Sequence, residues 1–479
     1  MSMKLALTDK PAGLIYGEDE RLVTPGFLVG IVLILILLWV FDYFILRNPI
    51  LTPLMANGKY LKAMTPVYAF WKPIMRLDAI IFLVATLFFV TFSTAAQKVK
   101  TYSPFCFSIY IFVAYAILAV ALLLVRNNLS ELASNLLIYP TEEVYYDAQR
   151  IVTITDFIRH YKTLQPELSM RGQHYPPGGA IFLFVVSKIL GEGLWKIGAV
   201  LVVVASTSVT LCYFAMRHIL PEFHARQAVL LLATSPSLLD FTCTSMDILF
   251  FLFSSLCLLS TAMVQSRQAG VVSYHGFRYS ALFTGIFLYL ASIVSFSSFP
   301  LYMCLFLFMI INGKAMIKQT TINICTISVG YIITYFLIYF IFGYSLLENL
   351  SYARQNSLRL LTNVLNGPPS DYYFYACFGN IAAFLIGCGV AVVGAVASSS
   401  IDSHFMWTPW RIASLMTLVF ITVGGIYVME AERIWIYVIP WMVVFALNNR
   451  PFRTSSLRLL LACGLMQAFF MEALLFTLW

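Results

Sequence analysis

The 479-residue chain is 60% hydrophobic and only 11% charged, with a formal charge of +8 and nine cysteines. Soluble domains average roughly 45–50% apolar and about 25% charged residues, so this composition excludes a soluble globular protein and points to an integral membrane protein. The basic residues are scattered through short loops, which argues against a nucleic-acid partner, and the cysteines show neither zinc-site nor disulfide spacing. Cys212, Cys243, Cys257, Cys304 and Cys388 fall inside apolar runs and read as small buried hydrophobes.

A spanning helix needs about 20 apolar residues. In chain order, runs that meet or approach that length cover 27–46, 79–97, 105–125, 194–216, 227–241, 244–264, 280–297, 299–312, 321–343, 372–398, 411–428, 433–447 and 457–476. The sequence therefore predicts an all-α, polytopic membrane protein with about 13 transmembrane helices. A mixed-charge tail precedes the first run and no small-residue cleavage pattern follows it, so a removable signal peptide is not expected. A long polar segment, 127–176, follows the third run. The apolar stretch behind it, 180–190, is too short to span, is interrupted by Lys188, and reads as a re-entrant or juxtamembrane helix. The chain divides into residues 1–104, a tail with two additional helices, and 105–479, a module whose outer loop 127–190 carries the main motif.

Short cytoplasmic loops are rich in Lys and Arg. If 127–176 lies outside and 180–190 does not cross, the loops with Lys98/Lys100, Arg217/Arg226, Arg267/Arg278, Lys314/Lys318, Arg411 and Arg450/Arg453/Arg458 all fall inside. The loop 48–78, with Lys59, Lys62, Lys72 and Arg76, falls outside and breaks the rule. The same topology gathers Glu142, Glu143, Asp147, Asp156, Asp240, Asp247, Glu348, Asp371, Glu430 and Glu432 at the non-cytoplasmic face.

Five groups there have both a structural and a functional reading. In YPTEEVYYDAQRI, Tyr139 to Ile151, a helix begun after Pro140 would put Glu143 and Asp147 on one face, with Arg150 three residues on. Two such carboxylates form an ordinary surface pair, or one serves as a base, or together they hold a divalent cation. In GQHYPPGGAIFLF, Gly172 to Phe184, His174 precedes Pro176, Pro177 and Gly178, a turn that starts a helix. Broken backbone near a membrane is tolerated mainly where it is buried in protein or lines a wet cavity, which favours a site. In SPSLLDFTCTSMDILFF, Asp240 and Asp247 sit between two apolar runs, and Asp247 reads first as a helix cap. In VMEAERIWIYVIPWM, Glu430, Glu432 and Arg433 form a locked ion-pair turn or a phosphate site, with Trp435, Tyr437 and Trp441 expected at interfacial depth. The Tyr-rich stretch Gly343 to Tyr375, with Arg354, Arg359 and a second Pro-Pro, is a surface linker or a cap over a cavity.

A long first outer loop opening with EEVYYDA and closing with His-Tyr-Pro-Pro, then a short helix, a basic inner loop and SPSLLDF…SMD, resembles the GT-C superfamily of polytopic glycosyltransferases. These include the protein O-mannosyltransferases, and the EAERIW turn is similar to one in bacterial members. The likeness covers roughly Tyr139 to Pro440. Family members usually begin with the helix that leads into the catalytic loop, whereas here two helices precede that helix, and Tyr175 separates His174 from Pro176.

The resemblance implies an enzyme that moves a sugar from a polyprenyl-phosphate donor in the membrane lipid to a hydroxyl of a glycan, lipid or protein acceptor. Asp147 would be the general base, with Glu143 the neighbouring candidate. Arg433 would be first to stabilise the leaving phosphate, then His174, with Arg354 and Arg359 weaker, and Glu430, Glu432, Asp240 and Asp247 at the substrate site. Pro176, Pro177 and Gly178 would hold the loop. No cofactor is required; a divalent cation, Mg or Mn, on Asp147 and Glu143 is left open. The rival class is a secondary transporter or lipid flippase, but no second copy of either loop motif is present and the acids are one-sided. A membrane acyltransferase would want a central buried His. The sequons at Asn128 and Asn349 both fall in outer loops.

Overall fold

The computed structural model describes residues 20–46, 69–97, 102–137, 143–268, 279–312, 317–365, 370–403, 405–424, 431–448 and 450–477. The described residues are all-α apart from one small two-stranded sheet. It begins with α1 (Pro25–Phe41), continued by a π turn to Leu46, then α2 (Ala79–Ala96) and α3 (Pro104–Leu123). The outer loop carries four short helices, α4 (Val144–Gln149), α5 (Ile154–Arg159), α6 (Tyr161–Leu164) and α7 (Met170–His174), before α8 (Gly178–Leu190). There follow α9 (Leu194–Arg217), α10 (Glu222–Leu232), α11 (Pro236–Asp240), α12 (Asp247–Gln268), α13 (Ser280–Val294), α14 (Ser298–Asn312), α15 (Ile317–Phe342) and α16 (Leu346–Leu365). The chain closes with α17 (Ser370–Ser400), α18 (Pro409–Val423), α19 (Ala431–Ile434), α20 (Ile439–Leu447) and α21 (Thr454–Leu474).

Eight described helices are long and apolar enough to cross a membrane: α1 with its π turn, α2, α3, α9, α12, α15, the Cys377–Ser400 part of α17, and α21. The protein is thus a multi-pass membrane protein. Four further apolar runs form the shorter helices α8, α13, α14 and α18, and a fifth covers Ile436–Leu447. The run 227–241 is not one helix: it divides into α10 and α11 across 233–235, just before Pro236, which supplies no N–H to the preceding turn and starts α11 instead.

Starts are set locally. Thr24, Ser103 and Thr408 each stand before a Pro, and their hydroxyls accept the N–H of Phe27, Cys106 and Arg411, so α1, α3 and α18 begin with a donor satisfied and a pre-set φ. α17 is broken inside its apolar stretch at Gly389, where φ is +86°. A Cβ there would lie 2.5 Å from Pro236 Cδ. The break frees backbone groups that lipid cannot satisfy, and Gln467 of α21 takes both: Oε1 accepts Val390 N–H at 2.7 Å and Nε2 donates to Ile386 O at 2.8 Å.

The helices of residues 1–104 share the core of the rest, α1 packing on α17 and α2 on α3 and α21. A two-stranded sheet, β1 (Ala69–Trp71) antiparallel to β2 (Leu475–Thr477), joins the chain's early and final segments, with Phe70 opposite Phe476. The loop 48–78 thereby ends beside Arg126, whose guanidinium donates to Lys72 O and Leu475 O at 2.9 and 2.7 Å. At the opposite end Arg226 donates to Ala96 O and Tyr102 O, and Gln227 to Gln97 and Phe452 O. α8 starts against Ile293 and Met246 and α9 against Leu132, so both helix starts lie near the outer-loop elements.

Trp435, Tyr437 and Trp441 are core residues, packing on Phe384, Phe250 and Trp410 respectively. Cys212, Cys243, Cys257, Cys304 and Cys388 are buried as expected.

Candidate functional site

The outer loop folds back on itself around Asp147. The helix expected to carry both acids starts later than the pattern implied: α4 begins at Val144, and Glu143 stands at its cap with extended backbone. The two carboxylates take different partners on the same short helix, α7. Glu143 pairs with Arg171 at 3.3 Å, while Asp147 receives Ser169 N–H at 2.8 Å and the Ser169 hydroxyl at 2.5 Å. Arg150 leaves this face and donates to Glu167 O at 2.6 Å.

Ser169 also caps α7, its Oγ accepting Gly172 N–H at 3.0 Å. Gly172 lies so close that a Cβ would stand 2.3 Å from Asp147 Oδ2. Asp147 is 1% exposed, and this burial outweighs the Ser169 bonds and the Arg150 charge, so its carboxyl is held above the usual carboxylate range. Tyr161, from α6, donates to Gly172 O and Tyr175 O, both at 2.9 Å. Its phenol is held well above the usual range by burial and by the Asp147 charge.

The same loop reaches a second charged centre through Tyr175. Arg433 of α19 pairs with Asp247, at the start of α12, at 3.0 Å, with side-chain exposures of 3% and 4%. Arg433 also donates to Ser245 Oγ at 3.1 Å and to the Tyr175 hydroxyl at 3.3 Å, and Ser245 donates to Asp247 at 2.6 Å. The two charges therefore pair inside the protein, with the Ser245 and Tyr175 hydroxyls beside them.

His174 turns elsewhere. Its Nδ1 faces Met170 O at 2.5 Å and its Nε2 faces Asn356 Nδ2 of α16 at 3.5 Å, so Nδ1 carries the proton and Nε2 accepts. It pins α7 to α16, an attachment that Asn356 extends to Gln173 at 2.9 Å. The Pro176-Pro177-Gly178 turn starts α8 as predicted; a Cβ on Gly178 would lie 2.5 Å from Ile293 O, so the turn is seated on the end of α13. Glu432 is buried where α19 meets Gly387 of α17. Asp240 stands apart from the Arg433 centre, buried and interacting with Glu472, which faces Arg126 at 3.9 Å. Arg354 and Arg359 are exposed on α16, and Glu430 lies outside the described residues. Asn349, the second sequon, is buried and accepts the Tyr344 hydroxyl at 2.8 Å.

No known family, curated protein or solved structure matches this chain.

The residues that sequence reasoning missed are Ser169, Arg171, Tyr161, Tyr175 and Ser245. Tyr175 carried a signal, since it is the residue that separates His174 from the prolines. Ser169 carried a weaker one, standing three residues before a glycine at a helix start. As for a metal, among the described residues no three His, Cys, Asp or Glu side chains gather. With Glu143 on Arg171 and Asp147 on Ser169, the pair left open for a divalent cation is a poor donor set.

Proposed function

We propose that the protein is a membrane glycosyltransferase that moves a sugar from a polyprenyl-phosphate donor to an acceptor hydroxyl at the non-cytoplasmic face, with inversion. The observation that carries this reading is the Asp147–Ser169 contact. A buried carboxylate with a raised pKa, receiving a hydroxyl at 2.5 Å, is the arrangement that a general base needs toward an acceptor alcohol. The acceptor hydroxyl takes the place of Ser169 Oγ and gives its proton to Asp147. Its oxygen bonds to the anomeric carbon as the bond from that carbon to the phosphate oxygen breaks. The polyprenyl phosphate leaves with the electron pair, and Arg433, with the Tyr175 hydroxyl beside it, compensates the growing negative charge. Glu143 holds Arg171 and so positions α7 over the base. His174 is a positioning residue that fixes the loop to α16.

α8, 13 residues long, is about 20 Å and too short for a hydrocarbon core of about 30 Å. Both its start and that of α9 lie by outer-loop elements, which supports a juxtamembrane helix under the catalytic loop.

The test is transfer from polyprenyl-phosphate sugars by purified protein in vesicles, with release of polyprenyl phosphate as the readout. Asp147→Asn is expected to bind the donor and release nothing. Full turnover by that variant removes Asp147 as base. Movement of intact donor across the bilayer with no bond broken would make the protein a transporter or flippase.

A further inference from the structure

The C-terminal end of α7 has carbonyl groups to satisfy, because the helix is only 5 residues long and Tyr175 leaves it in extended backbone. Tyr175 N–H reaches back to Arg171 O at 2.8 Å. The carbonyls that follow are met by side chains of the segment just before α7. Gln165, fully buried, donates from Nε2 to Gln173 O at 3.1 Å. The Tyr161 hydroxyl stands 2.9 Å from both Gly172 O and Tyr175 O, and its one hydrogen is shared between them in a three-centre bond of the kind common at helix ends.

The phenol is held in place on both sides. Tyr161 is 2% exposed, with its ring edge-on to Phe157 of α5 at 5.4 Å and to Tyr344, in the turn between α15 and α16, at 6.1 Å. Each carbonyl it binds belongs to a residue with a second contact at the proposed centre. Gly172 lies where a Cβ would stand 2.3 Å from Asp147 Oδ2, and the Tyr175 hydroxyl meets Arg433 Nη2 at 3.3 Å. One side chain therefore fixes the backbone on the base side and on the cation side of the same loop.

We propose that Tyr161 is a positioning residue of the transferase centre, its hydroxyl setting Gly172 against Asp147 and Tyr175 against Arg433 so that base and leaving-group cation keep one spacing. This rests on the transferase reading and adds to it a residue that acts only through its neighbours. Without the hydroxyl, two carbonyls lose their donor, α7 lifts from Asp147 and admits water, and Tyr175 drifts with the end of the loop. Chemistry is sensitive to such drift, since a displacement of about 1 Å costs on the order of 100-fold in rate.

The test is Tyr161→Phe, which keeps the ring between Phe157 and Tyr344. The phenol is held well above its usual range by burial and then by the Asp147 charge, so it is neutral and its loss changes no charge near the base. The charged and imidazole groups that α7 and α8 bring against α4 are Arg171, His174 and Lys188, with Glu143 and Arg150 at the ends of α4, and all are retained. With purified protein in vesicles and a polyprenyl-phosphate sugar, kcat is expected to fall roughly 10–100-fold and the donor KM to rise. Hydration relieves the burial that raises the Asp147 carboxyl, so the acid limb of the rate–pH profile should move to lower pH. Tyr175→Phe should raise KM and leave that limb in place, and the double variant should lose less than the product of the single losses. Tyr344→Phe, which removes a neighbouring buried hydroxyl that donates to Asn349 at 2.8 Å, should lower the melting temperature and leave limb and KM unchanged. An acid limb unmoved in Tyr161→Phe, or moved equally in Tyr344→Phe, would make the hydroxyl a stability element only and overturn the proposal.

If the wild type transfers no sugar, the transferase reading falls, and the placement of Tyr161 is read from melting temperature against pH. A raised folded carboxyl contributes stability below the unfolded Asp range and loses it as pH rises through the folded value, so Asp147→Asn gains over its parent at neutral pH. That gain should be smaller in the Tyr161→Phe background, where Asp147 is hydrated. An equal gain in both backgrounds overturns the link between Tyr161 and Asp147.

Discussion

The Asp247–Arg433 pair offers the sharpest quantitative test, because each side chain is nearly inaccessible and both are held by hydroxyls. Asp247→Asn leaves the buried Arg433 without the Asp247 carboxylate, and Arg433→Met leaves Asp247 beside Ser245 without the guanidinium. Removing one partner of a buried pair costs about 3–5 kcal/mol, since the survivor keeps its desolvation penalty and loses its compensation. The double variant loses both charges together and should cost less than the sum, with a coupling of about 2–3 kcal/mol. Denaturant unfolding of the four proteins in one detergent gives the cycle, and donor binding measured alongside tells whether Arg433 also meets the phosphate. If each single variant costs under about 1 kcal/mol and the effects add, the pair is solvated and the dry-site reasoning fails.

Ser169→Ala removes the hydroxyl on Asp147 and the cap of α7, and should cost about 2–4 kcal/mol in the same unfolding assay. It also removes a bond that favours the carboxylate, so the acid limb of the rate–pH profile should move to higher pH. Asp147→Asn reports the sign of the burial effect on stability. Because the folded carboxyl is raised, its contribution is complete below the unfolded Asp range and is lost as pH rises through the folded value. The variant should therefore exceed the wild type in melting temperature at neutral pH and lose that advantage toward acid; an advantage that grows toward acid contradicts a raised value. Gly172→Ala drives a Cβ to 2.3 Å from Asp147 Oδ2 and 2.8 Å from Leu168 Cβ, and should cost about 1–3 kcal/mol with loss of transfer. Gly30→Ala, with open space around it on α1, should be neutral or slightly stabilising in the same melting assay.

Hydropathy located the helices well because a membrane span must be long and apolar whatever it packs against. It did not foresee that Trp435, Tyr437 and Trp441 are core, since lipid and protein interior are equally apolar and a run of hydrophobes carries no direction. Nor did it separate α10 from α11, although Ser235-Pro236 marked the break. Asp147, Asp247 and Arg433 were all singled out as charges that interrupt apolar sequence. Their partners were not, because Ser169, Tyr175 and Ser245 are ordinary polar residues whose importance comes only from long-range folding. The pairing of Asp247 with Arg433 joins residues far apart in the chain, and no local pattern specifies which acid meets which base. Glu143 and Asp147 were placed inside one helix by their i, i+4 spacing; Glu143 is instead its N-cap, and the two acids meet α7 at Arg171 and Ser169.

The break in α17 has a consequence for how the acids are delivered. An unbroken helix would run its side chains through the space that Pro236 occupies, and α11 would have to withdraw. With α11 would go the turn that leads into Asp247, and so the counter-charge of Arg433. Gln467 makes the notch affordable in lipid by acting as a detached peptide group, giving one donor and one acceptor where the helix interrupts its own ladder. Gly389 and Gln467 thus form a mortise for a chain segment distant from both, and their joint loss should be felt first as a misplaced Asp247 and only then as a bent helix.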